Sequence, residues 1–318
     1  MGRRLAKLTG EIESRLWPRS PVILMYHRVA EPQHDLWGLA VGPDLFAEQI
    51  QALSEIRRIV PLGELLRLAR DGPARERPLA AITFDDGYHD AYTAAQPILQ
   101  RLDCPATVFV ATGLVGSSRE FWWDELAQII LLTPSLPQSL TLEFSGRTRT
   151  WRTPAPDAQA RERLCRQLRR RMRDMAPVAI DQQLEALRLW AGVTRSQRDD
   201  HRLMTGEEVG RLSDGLITVG AHTVGHPSLP RLSARDQAAE IQQSRLVCED
   251  LIGAPVEHFA YPFGHYDGSS VRAVRDAGFV SACATTPGVV RPWTDLHRLP
   301  RISPGRRSGE DLLRWLGR

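Results

Sequence analysis

Two adjacent carboxylates, Asp85 and Asp86, stand where the apolar run Ala80-Ala81-Ile82-Thr83-Phe84 breaks off before Gly87 and Tyr88. The run reads as a strand bounded before by Arg77-Pro78. Within a strand, neighbouring side chains point to opposite faces, so two aspartates there could not serve one site. At a strand end that turns on glycine the backbone can redirect both towards one point. One carboxylate would then bind a cation while the other handles a proton. The plainer alternative is a turn, because Asp-Gly pairs form turns readily.

A second pair weighs against the plain turn. His222 and His226 are four residues apart, directly after the apolar run Leu216 to Gly220. With Asp86 they make two imidazoles and one carboxylate, a set suited to zinc or another first-row divalent ion. Three protein ligands leave coordination positions open for water and substrate, as hydrolysis requires.

The elements that must carry these groups alternate. Pro21 to Tyr26 reads as a buried strand ending on His27, followed by a helix over 45–56 and a short strand at Ile59-Val60. A helix over 62–69, the Asp-Asp-Gly strand, a helix over 91–102 and the strand Ala106 to Val110 follow. After Met204 the alternation resumes: a helix over 205–212, the strand before His222, a helix over 234–252 and the strand Phe259 to Tyr261. A helix over 269–277, strands over 279–284 and near 299–303, and a helix over 309–316 complete it. This pattern predicts a parallel sheet or α/β barrel, and each polar cluster falls just after a strand, the end that carries chemistry in such barrels. Residues 113–204 interrupt it with an insertion: Phe121-Trp122-Trp123 opening an apolar helix to Leu132, a hairpin from Leu140 to Trp151, and helices over 157–175 and 181–191.

Thr83-Phe84-Asp85-Asp86-Gly87, then His222-Thr223-Val224-Gly225-His226-Pro227, then Phe259-Ala260-Tyr261-Pro262-Phe263-Gly264 resemble the ordered motifs of the polysaccharide deacetylases, carbohydrate esterases with the NodB-homology domain. The resemblance runs from about residue 20 to 303, apart from the insertion, and implies a distorted (β/α) barrel lacking one or more of the usual eight units. It implies Asp86, His222 and His226 as ligands of one divalent cation, expected to be zinc. Asp85 becomes the general base and the Phe263 backbone N–H an oxyanion donor; Tyr261 and Asp267 are placed at the substrate rim with no chemistry assigned. The family's proton donor usually lies in a late Leu-x-His motif, which is missing here. Some relatives are circularly permuted, and Met25-Tyr26-His27 looks like the counterpart, making His27 the expected general acid; His297 is the weaker candidate and a structural role for His27 the alternative. Ala260 stands where many relatives carry an arginine that orients the catalytic aspartate. Arg301, after Leu299-Pro300, is the candidate to replace it, against the alternative of a structural ion pair. Trp122 and Trp123 are candidates for stacking on sugar rings, with core packing the plainer reading.

The expected function is therefore removal of acetyl from an N-acetylamino sugar in a glycan, or in a lipid- or nucleotide-linked precursor. An O-acetyl esterase and a non-catalytic glycan-binding protein are the rival readings. A formal net charge of +3 does not suggest nucleic acid as a ligand. Four widely separated cysteines without metal-knuckle or redox spacing fit reduced, buried thiols. No stretch is long and apolar enough to span a bilayer. Residues 1–20 lack the apolar centre of an export signal but place Leu5, Leu8, Ile12 and Leu16 on one helical face beside Arg3, Arg4 and Lys7. Cytoplasmic location is expected, with that segment packed on the body or making peripheral contact with the inner face of a membrane.

Overall fold

Strands whose residues are apolar without alternation need cover on both faces, which parallel strands joined by helices supply. In the computed structural model, which describes residues 19–70, 77–144, 146–153, 157–213 and 215–317, this is what the apolar runs form. In chain order the strands are β1 (Val22–Tyr26), β2 (Arg28–Val29), β3 (Ala40–Val41), β4 (Arg58–Ile59), β5 (Leu79–Phe84) and β6 (Ala106–Val110). They continue as β7 (Ser139–Phe144), β8 (Arg147–Arg152), β9 (Ile217–Ala221), β10 (His258–Ala260) and β11 (Ser281–Cys283). Every residue of β5 and β6 is buried.

Seven of these strands make one parallel sheet in the order β1-β5-β6-β9-β10-β11, with β4 also on β5. The pairings Tyr26↔Phe84, Phe84↔Val108 and Val110↔Ala221 bring the strand ends level, so residues that follow them share one rim. The two sheet edges are tied through one segment: Leu299 bridges Cys283 and Ile302 bridges Leu24, both parallel. Its backbone bonds Ala284 N–H to Leu299 O and Met25 N–H to Ile302 O are each 2.8 Å. The expected last strand is thus a pair of bridges around Pro300, whose ring nitrogen has no N–H for a continuous ladder. The curled sheet is the distorted barrel, and β1 adjoins the end of the chain's last sheet segment.

Ten α-helices surround it: α1 (Pro43–Ile56), α2 (Leu62–Arg70), α3 (Gln96–Arg101), α4 (Trp122–Ala127), α5 (Ala158–Met172), α6 (Pro177–Ala191), α7 (Gly206–Leu212), α8 (Ala234–Ile252), α9 (Gly268–Asp276) and α10 (Gly309–Trp315), counted among the described residues. Helix starts follow capping chemistry. Thr205 caps α7 with a reciprocal Glu208 bond, and Asp267 caps α9 by accepting from Ser269 and Ser270 N–H. Asp267 is thereby a helix cap, not a rim group.

The insertion builds an apolar cluster of its own. β7 pairs with the antiparallel β8 and alternates, burying Leu140, Leu142 and Phe144 on one face. α5 adds Leu164, Leu168 and Met172, and α6 adds Ile180, Leu184 and Leu187. Each such side chain contributes about 1.5–3 kcal/mol on burial. Tyr88, Ala111 and Leu203 join this cluster to the barrel rim, beside Phe121 and Trp123. The four cysteines are buried and free. No helix among the described residues is long and apolar enough to cross a membrane. The expected amphipathic helix over residues 1–20 falls almost wholly outside the described residues.

Candidate active site

Where β5 ends the chain cannot continue extended, because Asp86 and Gly87 both adopt positive φ, at 78° and 85°. For glycine this costs little; for aspartate it is strain that the surrounding structure must hold. Of the five non-glycine residues with positive φ among those described, four are Asp86, Thr223, His226 and Phe263, all within the three motifs. Strained backbone is concentrated at this rim. The Asp85 N–H bonds Tyr26 O at 3.0 Å, extending the β1–β5 ladder by one residue, and the strained turn then aims Asp86 the other way.

Asp86 faces the two histidines. Its Oδ1 lies 3.5 Å from His222 Nε2 and 3.2 Å from His226 Nε2. All three side chains are buried, and their prospective ligand atoms fall within 4.8 Å of one another. His222 Nδ1 is 2.7 Å from Ala260 O at the end of β10, so Nδ1–H donates there and Nε2 is left as the acceptor. The loop between the histidines is pinned from α8: Glu240 Oε2 accepts from Val224 and Gly225 N–H, both at 2.8 Å.

His226 is held by different means. Its Nδ1 is buried without a hydrogen-bond partner. Aromatic rings enclose it instead: Phe263 at 4.6 Å, Trp123 at 4.8 Å and Phe121 at 5.6 Å between centroids. Trp123 stacks on Phe121 at 4.3 Å. Its Nε1–H donates to Tyr88 OH at 3.1 Å, and that hydroxyl donates to Asp124 Oδ2 at 2.5 Å. Burial lowers the His226 pKa and so favours the neutral ring. Burial pushes the Asp124 carboxyl up to about 7.

Asp85 is gripped from the closing segment. Arg301, 1% exposed, forms a two-pronged pair with it, Nη1 to Oδ1 and Nη2 to Oδ2, each 2.6 Å. Arg301 Nε–H donates to Ala284 O at 2.9 Å and Nη1–H to Thr83 Oγ1 at 3.1 Å. Burial alone would raise the Asp85 carboxyl, but the charge and hydrogen bonds of Arg301 hold it below its ordinary value, with His222 and His27 adding to this. Asp86 is likewise held well down, against burial, by the facing imidazoles of His222 and His226.

The remaining expected residues separate into two groups. His27 is half-buried at the end of β1, where its charge acts on both Asp85 and Asp86. Phe263, at φ 58°, is the middle of the turn Pro262–Gly264, and its ring lies against His226. That turn sits hard on Thr285: a Cβ on Gly264 would come within 1.9 Å of its Oγ1, so only glycine fits. Tyr261 is not at the substrate rim. It is fully buried, edge-on to Phe259 and tilted against Tyr266, with its hydroxyl donating to His297 O at 3.0 Å. His297 is tied to Phe279 O at 2.9 Å and to Arg275, away from Asp85. Trp122 and Trp123 are 8% and 2% exposed, which removes both from sugar stacking.

Reading the sequence alone misses Glu240, Tyr88 and Asp124. Glu240 is one polar residue within a long helix, and nothing in its neighbours marks it. Tyr88 and Asp124 are brought together only by the insertion.

The donor set fits a divalent cation. Two imidazoles present Nε2, one with its tautomer fixed by Ala260 O, and an ionised carboxylate completes a group buried from solvent. Such a set matches zinc and similar ions.

Comparisons with known proteins agree with this rim. The polysaccharide deacetylase family model matches residues 72–131 and 193–282, and the gap between the matched parts holds β7, β8, α5 and α6. The Bacillus subtilis (strain 168) polysaccharide deacetylase homologue YxkH is 20% identical over 293 residues, covering 91% of this chain and 73% of that protein. Among solved structures, the Streptococcus pyogenes deacetylase PplD in complex with acetate superposes with a TM-score of 0.62 at 20% identity, over 94% of this chain and 99% of that one. IcaB from Ammonifex degensii gives 0.61 at 18% identity, over 94% and 98%. The fold is theirs, and the matched motifs hold Asp85, Asp86, His222, His226 and Phe263 at one rim. By its motifs, its family-model match and its fold the chain is similar to the polysaccharide deacetylases, hydrolases that act on the amide bonds of acetylated sugars.

Proposed function

We propose that this chain is a cation-dependent deacetylase that hydrolyses the N-acetyl group of an N-acetylamino sugar within a glycan or glycan precursor. The observation that carries the reading is the pairing at the end of β5. Asp86 converges with His222 and His226, while both oxygens of its neighbour Asp85 are held by Arg301, which keeps the carboxylate ionised.

In this reading Asp86, His222 and His226 hold one divalent ion, zinc or a similar first-row metal. The ion supplies Lewis acidity for the acetyl carbonyl and makes water a competent nucleophile near neutral pH. Asp85 accepts the proton from the attacking water. It is ready to do so because Arg301 fixes both carboxylate oxygens and favours the charged form. Arg301 thus takes the orienting role that the family's arginine at the position of Ala260 has, reaching Asp85 from the sheet-closing segment. The Phe263 N–H, within the left-handed turn Pro262–Gly264, donates to the oxyanion. His27 gives a proton to the departing amine, a role that the imidazole of histidine suits. Phe121, Trp123 and Phe263 exclude water from the side of His226, where a low dielectric strengthens each of these interactions.

Acetate release tests this. The metal-restored protein is incubated with matched N-acetylated and O-acetylated oligosaccharides. Release from the N-acetylated set is the expected outcome. Release from the O-acetylated set alone would make the chain an esterase, and release from neither would remove the catalytic reading.

A further inference from the structure

The insertion does more than pack against the rim. α5 and the turn after it carry seven arginines between Arg161 and Arg173, opposed in that stretch by Glu162 alone. One of them, Arg161, is buried and donates to the backbone carbonyls of Thr133 and Pro134, so it closes the helix onto its neighbours. Others line a groove of about 480 Å³ formed by Arg163, Arg166, Gln167, Arg169 and Arg170 of α5 with Trp37 from the β2–β3 connection. That volume is in the range of small-ligand sites, and four of the six residues that line it are arginines.

Arg169 is the residue that joins the groove to the active site. Its guanidinium lies 4.7 Å over the Trp37 ring, its Nε–H is buried with no acceptor, and it makes no ion pair among the described residues. It is also near enough to Asp86 and Asp124 for their carboxylates to favour its charge, while burial and then the neighbouring Arg173 work against it. Arginines in the last turn of a helix offset the helix dipole, which accounts for their presence at the end of α5. It does not account for a guanidinium turned inward over Trp37 with an unsatisfied donor. The pairs Arg163–Asp157 and Arg166–Glu162, at 3.6 Å and on exposed side chains, contribute little and leave both guanidinium groups available.

We infer that this groove is a subsite for a phosphate group carried by the sugar substrate, so that the chain prefers a phosphorylated or phosphate-linked N-acetylamino sugar over the neutral one. This inference rests on the deacetylase reading of the adjacent site. Guanidinium groups present several N–H donors in a planar fork, which suits the many oxygens of a phosphate ester better than a single carboxylate. A sugar can lie beside the Trp37–Arg169 pair while its phosphate meets Arg166 and Arg170, which line the same groove.

The test compares binding of N-acetylglucosamine and N-acetylglucosamine 1-phosphate to the metal-loaded protein by calorimetry at fixed ionic strength. Charge-assisted bonds of this kind predict that the phosphorylated sugar binds at least about 10-fold more tightly. The preference is expected to fall to about 2-fold or less in Arg169→Ala and in Arg166→Ala/Arg170→Ala, and to an intermediate value in Arg169→Lys, which keeps charge but loses the fork. No preference in the wild type, or one that survives in both alanine variants, overturns the inference. Equal gain from an N-acetylated disaccharide bearing a uronate would overturn the assignment to phosphate. Binding to phosphatidylglycerol vesicles that is lost in the same variants, without any sugar phosphate preference, would assign the groove to a membrane surface. Acetate released equally from neutral and phosphorylated sugars would leave the deacetylase reading standing and remove this one. Tight phosphorylated-sugar binding without acetate release from any sugar would do the reverse.

Discussion

The barrel side of the site and the insertion side hold their residues by different physics. On the barrel side, polar groups are fixed by directed bonds: Asp85 by the Arg301 fork, His222 by Ala260 O, the histidine loop by Glu240. On the insertion side, His226 has no bond at Nδ1 and is set by the faces and edges of Phe121, Trp123 and Phe263. Directed bonds define both distance and protonation state, which a proton-handling carboxylate and a tautomer-fixed imidazole need. Packing defines position alone, which is enough for a ring that has only to present one nitrogen. The two sides should therefore fail differently when altered.

The largest effect is expected on the barrel side. Arg301→Met leaves the Asp85 charge buried and unpaired, which costs about 3–5 kcal/mol of folding stability in denaturant titration. Asp85→Asn/Arg301→Met removes both charges and should recover part of that loss. pH sharpens the comparison in metal-free protein. The Asp85 carboxyl is held below its unfolded value of about 4, so its stabilisation is present above that value and is lost as pH falls through the folded pKa. The wild type should lose this portion on acidification below about pH 4, and the double variant should lack it. In turnover, Asp85→Asn should lose about 10²-fold or more, as for a missing general base, while keeping its metal. Near-normal turnover would end that role.

How much of this was legible in the sequence follows the same division. The barrel and its rim were, because apolar runs such as Ala80 to Phe84 end abruptly in chemistry-bearing residues, and strand ends of a parallel sheet share a rim. Arg301 could be named but not placed: Leu299-Pro300 gives no strand phase, and its contact with Asp85 depends on how the closing segment crosses from β11 to β1. Tyr261 was misplaced because β10 is short and its phase is set by the pairing Ala260↔Cys283, which turns the ring into the core. The β2–β3 pair was missed since two-residue strands carry no periodicity. In the insertion, Phe121-Trp122-Trp123 could be read as core or as a sugar platform, and only the tertiary contacts with His226 decide.

His27 offers a smaller but more selective effect. His27→Ala should slow amide hydrolysis by roughly 10- to 10²-fold while barely changing an activated aryl ester, whose leaving group departs without a proton. The alkaline limb of the rate profile should disappear with it. Equal losses on both substrates would mark His27 as structural. The smallest effect is expected on the insertion side: Trp123→Phe keeps the ring beside His226 but deletes its bond to Tyr88, costing about 1 kcal/mol of stability with metal retained. A large loss of metal in that variant would mean that the polar Trp123–Tyr88–Asp124 chain, and not packing, positions His226.

The account as a whole turns on Asp86, His222 and His226 acting as one cation site. Elemental analysis of protein loaded with zinc and desalted tests this most directly, with wild type, His222→Ala and Asp85→Asn measured side by side. The prediction is one equivalent in the wild type and in Asp85→Asn, and a large deficit in His222→Ala. A wild type that retains no metal, or a His222→Ala protein that retains as much as the wild type, would contradict it.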